Sequence, residues 1–312
     1  MNESNLRLLE AYLDHLIARN KSSRTVKTFR SLLISFLEYL GDKDLETATQ
    51  RDIDGFLASL RRKGAKDGTI YNAAVAVKRF FEYIEVEKPL KGFELPKRRR
   101  SLPRFLSERE VEALINSCSG TTERLIVSLL YTTGVRVSEL VNIRVRDIDL
   151  SSQTIRVVGK GGKERIVFFN DEVRELIELH IKANMLDEED YLLKSSRGNK
   201  MDYTTVERRL KQIARRAGIR KKVTPHVLRH TFATHMLKRG INIRVLQELL
   251  GHSKLSTTQV YTHVTPEIMK NEYDKAWRKL TCPNCGNDVY GNASRCPYCG
   301  SPMQTPALAT WR

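Results

Sequence analysis

The sequence lacks an apolar run long enough to cross a bilayer, and its first residues lack the apolar core of a signal peptide. We therefore expect a cytoplasmic protein with no membrane partner. Acidic residues are also in short supply, because 37 Asp and Glu stand against 54 Lys and Arg, a net charge of +17. Such an excess favours a polyanionic partner through phosphate contacts and counterion release. A charge that only keeps the protein in solution, or that binds an anionic membrane surface, would give the same composition.

Cysteine is almost absent from most of the chain, where Cys118 stands alone. Four more cysteines form two C-x-x-C pairs near the end, namely Cys282, Cys285, Cys296 and Cys299. This spacing, with a glycine after each pair, is typical of two thiolate knuckles on one tetrahedral zinc ion. Two disulfides are disfavoured inside a cell, and no thioredoxin-like βαβ pattern surrounds either pair. We therefore predict a structural zinc ribbon and tail over residues 281–312.

Four segments near the N-terminus carry the apolar periodicity of amphipathic helices, at 4–19, 22–40, 50–63 and 68–86. Helices of this length joined by short loops predict a small all-α domain at residues 1–95. The run from Pro96 to Arg104 is basic and contains two prolines. It predicts an extended linker over residues 96–104 that tracks a polyanion, with a nuclear localisation signal as the alternative.

Residues 105–280 predict a second domain of mixed α and β structure. A capping box at Ser107 and Glu110 starts one helix, and residues 121–133 form an apolar helix that ends before a glycine. Two short strands and two helices follow, at 153–158, 164–169, 171–184 and 202–217. The strands flank a glycine-rich turn that contains Lys160, but the full P-loop pattern is missing and a strand follows. The whole chain is predicted to be mainly α with a small β hairpin.

One stretch, residues 224–263, gathers polar residues that could carry chemistry. Thr224–Pro225 predicts a helix start, and Arg229 falls within the apolar arc of that helix. A buried cation is costly unless an anion meets it. A capping box at Ser256 predicts a short later helix that carries Tyr261. The polar residues gathered in this stretch are His226, Arg229, His252 and Tyr261.

Three other interpretations fit this stretch, namely a helix-turn-helix DNA reader, a metal site and an ordinary core with satisfied histidines. His226 and His230 lie four apart on a helix, but Val227 stands where a metalloprotease would have glutamate. A second arginine far upstream, Arg136, favours a catalytic site. It lies at the junction of two predicted helices, where its side chain can point into a cleft.

The segments TGVRVSEL, HVLRHTFATHML and LLGHSKLSTTQVYTHV resemble the tyrosine site-specific recombinases, the lambda-integrase family. The likeness covers roughly residues 5–280 and is nearest to the archaeal Xer-type enzymes. It implies a SAM-like four-helix core-binding domain that clamps duplex DNA, followed by an α+β catalytic domain. It also implies a homo-tetramer on synapsed DNA and catalysis without a cofactor. The zinc ribbon departs from the pattern of most relatives.

The resemblance implies catalytic roles for Arg136, Lys160, His226, Arg229, His252 and Tyr261. Tyr261 is the nucleophile, which forms a covalent 3′-phosphotyrosine intermediate. Arg136 and Arg229 bind the non-bridging phosphate oxygens. Lys160 protonates the 5′ leaving oxygen, with Lys163 as the second choice. The two histidines assist by hydrogen bonding or proton transfer, the first of them as the general base.

We therefore expect a DNA strand-exchange enzyme that resolves chromosome dimers. The alternatives are an integrase or excisionase of a mobile element, a nicking-closing topoisomerase, and a non-catalytic DNA-binding regulator. The target site and any accessory protein are not indicated by the residues. A last helix, from Thr265 to about Leu280, is expected to pack either on a neighbouring subunit or on its own domain. Glu139, one helical turn from Arg136, is expected to support structure.

Overall fold

The computed structural model describes residues 2–97, 104–159, 161–251, 265–291 and 293–303. The chain divides into two compact units, Met1–Leu102 and Pro103–Arg312, each with its own apolar core. In the described part of the chain, no helix combines the length and apolar character that a membrane crossing requires.

The first unit is built from α1 (Glu3–Ala18), α2 (Ser23–Leu40), α3 (Gln50–Arg62) and α4 (Asp67–Tyr83). The predicted four-helix unit is confirmed, because the apolar stripes meet in one core in which Phe36 and Phe80 are fully buried. A buried Asn5 fastens α1 to the loop before α3. Its side-chain amide donates to the Lys43 carbonyl at 2.9 Å, and its carbonyl oxygen accepts from the Leu45 amide at 3.2 Å.

The second unit combines helices with two small sheets. Its first elements are α5 (Glu108–Asn116), α6 (Thr121–Thr133), α7 (Val137–Leu140), β1 (Ile148–Asp149), β2 (Thr154–Val158) and β3 (Glu164–Phe168). Its later elements are α8 (Asp171–Ala183), α9 (Tyr203–Arg216), α10 (Pro225–Lys238), α11 (Ile243–Leu250), α12 (Pro266–Trp277), β4 (Lys279–Thr281) and β5 (Asp288–Tyr290). Strands β1, β2 and β3 form one antiparallel sheet, and β4 pairs with β5 in another. The prediction of a mainly helical chain with a small hairpin is confirmed, with β1 as an additional short strand.

Helix α6 is the centre of the second unit. It is buried along most of its length and packs against α8 and α10, as expected for a helix that is apolar on every side. It ends at Gly134, whose φ of 63° is in the left-handed region. A Cβ on Gly134 would lie 2.4 Å from the Phe232 ring. Only glycine therefore lets the end of α6 approach α10 this closely.

Helix α12 packs within its own chain. The Tyr273 side chain is buried, and its hydroxyl donates to the Thr132 carbonyl of α6 at 3.1 Å. The prediction that this helix continues to about Leu280 is wrong, because the helix ends at Trp277. Residues 279–281 instead pair with 288–290 as β4 and β5, so they belong to the sheet of the cysteine-rich segment.

The cysteine-rich segment is attached to the rest of the second unit around Arg239, the residue that caps the end of α10. The Arg239 guanidinium carbon lies 4.6 Å from the ring centroid of Trp277 and 4.5 Å from that of Tyr290. Its Nη2 donates to Glu108 Oε1 at 2.8 Å and to the Tyr131 hydroxyl at 3.3 Å. A cation enclosed by aromatic faces in this way contributes about 2 kcal/mol when desolvated. Arg239 thus joins α5, α6, α12 and β5.

Replacing Tyr273 with alanine should loosen α12 from its own chain. The change removes a fully buried ring and its hydrogen bond, a loss of about 3 kcal/mol or more in local stability. Hydrogen exchange of the α12 backbone amides in the full chain is the measurement. Ile268→Ala, on the same helix but 46% exposed, is the matched control and should leave that exchange unchanged. Equal amide protection in both variants would contradict the packing described.

Candidate active site

Helix α10 carries two of the predicted site residues in its first turns. The Thr224 hydroxyl caps the helix by accepting from the Val227 amide at 3.2 Å, and Pro225 occupies the first helical position. The helix then buries Leu228, Phe232 and Met236 completely in the core. The predicted start and apolar face of this helix are confirmed. Arg229 enters the protein on the same face.

The Arg229 side chain is buried, with 8% of its surface exposed. Its Nη1 donates to the Gly134 carbonyl at the end of α6, and its Nη2 donates to the Leu250 carbonyl at the end of α11. Burial, and then the positive charges of Arg136 and Arg165, lower the pKa of the guanidinium to about 10. The group is still protonated at neutral pH. A nearby anion would favour the protonated guanidinium and so raise its pKa, against the effect of burial and of the neighbouring charges.

Arg136 lies directly before α7, in the connection that follows Gly134. Its Nη1 donates to Glu139 Oε1 at 2.8 Å, and its Nη2 donates to the Gly251 carbonyl at 3.1 Å. The Glu139 carboxylate also accepts from the Arg136 backbone amide at 2.8 Å, which closes a capping box on α7. With 38% of its side chain exposed, the Arg136 guanidinium is accessible to a ligand in a way that Arg229 is not.

Arg136 and Arg229, far apart in sequence, therefore meet at the C-terminal turn of α11. They bond the successive carbonyls of Leu250 and Gly251. Helix C-termini leave carbonyls unpaired and carry partial negative charge, so a cation at this position is favourable. A fork of N–H donors on each guanidinium also suits two oxygens of one phosphate.

His226 lies on the exposed side of α10, one turn before His230, and their ring centroids are 5.3 Å apart. Partial burial, and then the positive charge on His230 and Arg229, lower the pKa of His226. The neutral imidazole, which can accept a proton, is thereby favoured. Among the described residues, a group of His, Cys, Asp or Glu suited to a metal ion is found at the four C-terminal cysteines and does not include these histidines.

The predicted residues Lys160, His252 and Tyr261 lie outside the described residues, as does the capping box at Ser256. Their described neighbours in sequence do belong to the site. Gly159 lies against Glu139, because a Cβ on it would be 3.4 Å from Glu139 Oε1. Gly251, which precedes His252, accepts the hydrogen bond from Arg136.

Sequence reasoning missed Arg165, on β3, as a member of this site. It makes two bonds of 2.8 Å to the Glu139 carboxylate, whose side chain is 1% exposed. These bonds, with those from Arg136, outweigh the burial that would raise the pKa of Glu139, and they lower it to about 2. Arg165 alternates along β3 with the exposed Glu164 and Ile166 and so shares the inward face with Val167. An arginine at an inward strand position is the signal that could have identified it.

The fold and the paired arginines define a class of protein. Residues 9–88 match the phage integrase N-terminal SAM-like domain, and residues 104–267 match the phage integrase family. The chain belongs to the phage integrase family and is a site-specific tyrosine recombinase, an enzyme that breaks and rejoins DNA. The resemblance drawn from the sequence motifs is confirmed.

Individual relatives place the chain close to the Xer group. It is 38% identical over 283 residues to the tyrosine recombinase XerA of Saccharolobus solfataricus, covering 86% of this chain and 92% of that one. It is 40% identical over 283 residues to XerA of Pyrococcus furiosus, covering 88% and 96%. A crystal structure of a lambda integrase tetramer bound to a Holliday junction shares the fold, with a TM-score of 0.68 and 20% identity over 85% of this chain and 83% of that one.

The four C-terminal cysteines form a second site. Their sulfur atoms all lie within 4.8 Å of one another, with Cys282 and Cys299 Sγ 3.7 Å apart and Cys285 and Cys296 Sγ 3.6 Å apart. Four sulfurs about 2.3 Å from one tetrahedral zinc ion would be about 3.8 Å apart, so the cluster fits that ion. Each pair sits in a matching turn, in which Gly286 and Gly300 donate to the carbonyl of the first cysteine at 2.9 Å. None of the four forms a disulfide.

Glu139 should make the stability of the second unit depend on pH. Its pKa is about 2 in the folded chain and near 4.5 when unfolded, so its contribution is present above about pH 5 and lost as pH falls toward 2. The shift corresponds to about 3 kcal/mol. Glu139→Gln should therefore be less stable than the unaltered chain at pH 7, with the gap narrowing toward pH 3. Urea unfolding at a series of pH values measures this.

The matched control for that series is Glu164→Gln, whose side chain is 55% exposed on the same strand as Arg165. It should show no such pH-dependent gap, since exposed pairs contribute little. A gap for Glu139→Gln that stays constant from pH 7 to pH 3 would contradict the assignment.

Proposed function

We propose that Arg136 and Arg229 together hold the phosphate at which a DNA strand is broken and rejoined. The observation that carries the proposal is the meeting of the two guanidiniums at one helix end, where Glu139 is the one carboxylate among the described residues that bonds Arg136 and Arg165. The uncompensated positive charge favours an anion. Negative charge grows on the non-bridging oxygens of a phosphodiester during displacement, which is where fixed donors stabilise most.

The remaining roles follow from the chemistry of that displacement. The Tyr261 hydroxyl attacks phosphorus and forms a 3′-phosphotyrosine ester, while Lys160 gives a proton to the 5′ oxygen that leaves. His226, favoured in its neutral form, accepts the tyrosine proton, and His252 adds a hydrogen bond to the phosphate. Because the ester retains the energy of the broken bond, a free 5′ hydroxyl can attack it and reseal the strand. If that hydroxyl comes from a second duplex, strands are exchanged.

We propose that the chain acts on duplex DNA as a homo-tetramer and resolves chromosome dimers in the cytoplasm. Similarity to XerA enzymes supports the Xer role, and the lambda integrase tetramer on a Holliday junction, which shares the fold, supports the assembly. The net charge of +17 suits a partner held by its phosphates. Integration or excision of a mobile element is the second candidate, because the same fold occurs in lambda integrase. Mapping protein trapped on genomic DNA separates the two by whether one chromosomal site or element ends are bound.

A nicked duplex that carries the target site should trap the unaltered chain as a covalent protein–DNA adduct. Tyr261→Phe should abolish the adduct because it removes the nucleophilic oxygen, while DNA binding persists. Tyr298→Phe, an exposed tyrosine of the cysteine-rich segment, is the matched control and should form adduct normally. Denaturing gel electrophoresis of labelled DNA gives the yield. Undiminished adduct with Tyr261→Phe would overturn the nucleophile, and a chain that binds but never forms adduct would instead be a DNA-binding regulator.

We propose that Cys282, Cys285, Cys296 and Cys299 hold a structural zinc ion. Metal analysis of the purified chain should find about one zinc per chain, as one four-cysteine site requires. Cys296→Ser should lose the metal, and Cys118→Ser, the matched control, should retain it. In a Trp311→Phe background the emission of Trp277, which contacts Tyr290 of this segment at 6.1 Å between ring centroids, should change on zinc loss. Retained zinc in Cys296→Ser would contradict the site.

A further inference from the structure

Arg165 is the third arginine at the C-terminal turn of α11. Its Nε donates to the Leu249 carbonyl at 3.0 Å, and its Nη1 and Nη2 donate to the two oxygens of Glu139 at 2.8 Å each. Only 13% of its side chain is exposed. All three guanidinium nitrogens of Arg165 are therefore hydrogen-bonded within the protein.

Three consecutive carbonyls of the α11 end are each bonded by a different arginine. Leu249 accepts from Arg165, Leu250 from Arg229, and Gly251 from Arg136. The arginines come from β3, α10 and the start of α7, so the turn is fixed from three directions. This turn is the last described part of the chain before His252 and Tyr261.

The Glu139 carboxylate is shared unequally between Arg165 and Arg136. Glu139 gives both of its oxygens to the Arg165 side chain and one of them also to Arg136 Nη1. A carboxylate without its Arg165 partner would attract the Arg136 guanidinium as a bidentate partner instead. Arg136 would then turn inward, away from a ligand. Arg165 thus satisfies Glu139 so that Arg136 keeps N–H groups for another acceptor.

We propose that Arg165 is a positioning residue for DNA cleavage, which aligns Arg136 through Glu139 and holds the turn before His252 through the Leu249 carbonyl. This inference rests on the proposed function of Arg136 and Tyr261. Arg165 acts without touching the DNA. Its loss should therefore slow the chemical step and leave DNA binding intact, since small displacements of a reacting group cost about 100-fold in rate.

Single-turnover cleavage of nicked target DNA, measured at increasing protein concentration, tests the proposal. Arg165→Ala should lower the maximal rate by about 100-fold and leave the half-saturating concentration unchanged. Arg165→Lys should fall between, because lysine restores the charge without the bidentate fork. Arg156→Ala, on the neighbouring strand and paired at the surface with Asp147 and Glu164, is the matched control and should cleave at the unaltered rate.

Two further readouts separate positioning from a purely structural role. Arg165→Ala should slow Glu139→Gln by much less than it slows the unaltered chain, because the route through Glu139 is already lost and only the Leu249 contact remains to be removed. The rate of Arg165→Ala should also recover toward that of the unaltered chain at acid pH, because Glu139 without Arg165 protonates more easily and then no longer draws Arg136 inward. If Arg165→Ala does not fold, the rate and pH profile of Arg165→Lys decide.

The proposal is overturned if Arg165→Ala, or Arg165→Lys in its place, changes only the half-saturating concentration. It is equally overturned if the loss of rate is additive with Glu139→Gln and the pH profile is unmoved. Failure of the underlying function gives a different result, because the unaltered chain and Arg156→Ala would then form no Tyr261-dependent adduct.

Discussion

The last three carbonyls of α11 and its cap each accept a hydrogen bond from an arginine that belongs to another element of the fold. Positive side chains collected in a partly buried place repel one another, and each loses several kcal/mol of hydration. The carbonyls and Glu139 offset part of that cost, and a bound anion offsets more. The surrounding fold serves this arrangement: α6 stops at a glycine so that its last carbonyl reaches Arg229, and β3 directs Arg165 inward.

Helix α10 connects this site with a second cationic contact at its other end. Its N-terminal turns hold His226 and Arg229, and the residue that caps its C-terminal end, Arg239, contacts Trp277 and Tyr290. The cations at the two ends of α10 are stabilised by different interactions. At the site, Arg136 and Arg229 donate hydrogen bonds to carbonyls, and Arg136 also bonds the Glu139 carboxylate and stays partly exposed. At Arg239, two aromatic faces and the Glu108 carboxylate contact the cation, and these contacts attach α12 and the cysteine-rich segment to the rest of the second unit.

Much of this architecture could be predicted from the residues. Apolar periodicity located the helices, because burying one face of each is the main source of their stability. Arg229 was identified because a cation on an apolar arc requires an explanation. Arg165 obeys the same logic on a strand but was missed, since in a five-residue strand a charged residue is more often exposed. The end of α12 was misplaced because the partner of residues 279–281 lies beyond the first cysteine pair, and strand pairing at such a distance has no local signal.

The residues alone determined which side chains can do phosphate chemistry, the helical periods that bury each core, and the cysteine spacing that suits one metal ion. These are local properties, set by side-chain chemistry and by the 3.6-residue turn. The tertiary structure decided which arginine bonds which carbonyl, that Glu139 serves Arg165 as well as Arg136, and that α12 packs on its own chain. Those choices depend on contacts between residues up to about a hundred and forty positions apart, as between Thr132 and Tyr273. Such contacts exist only after the core has brought the elements together, because the entropy of closing long loops is offset by burial and not by any local preference.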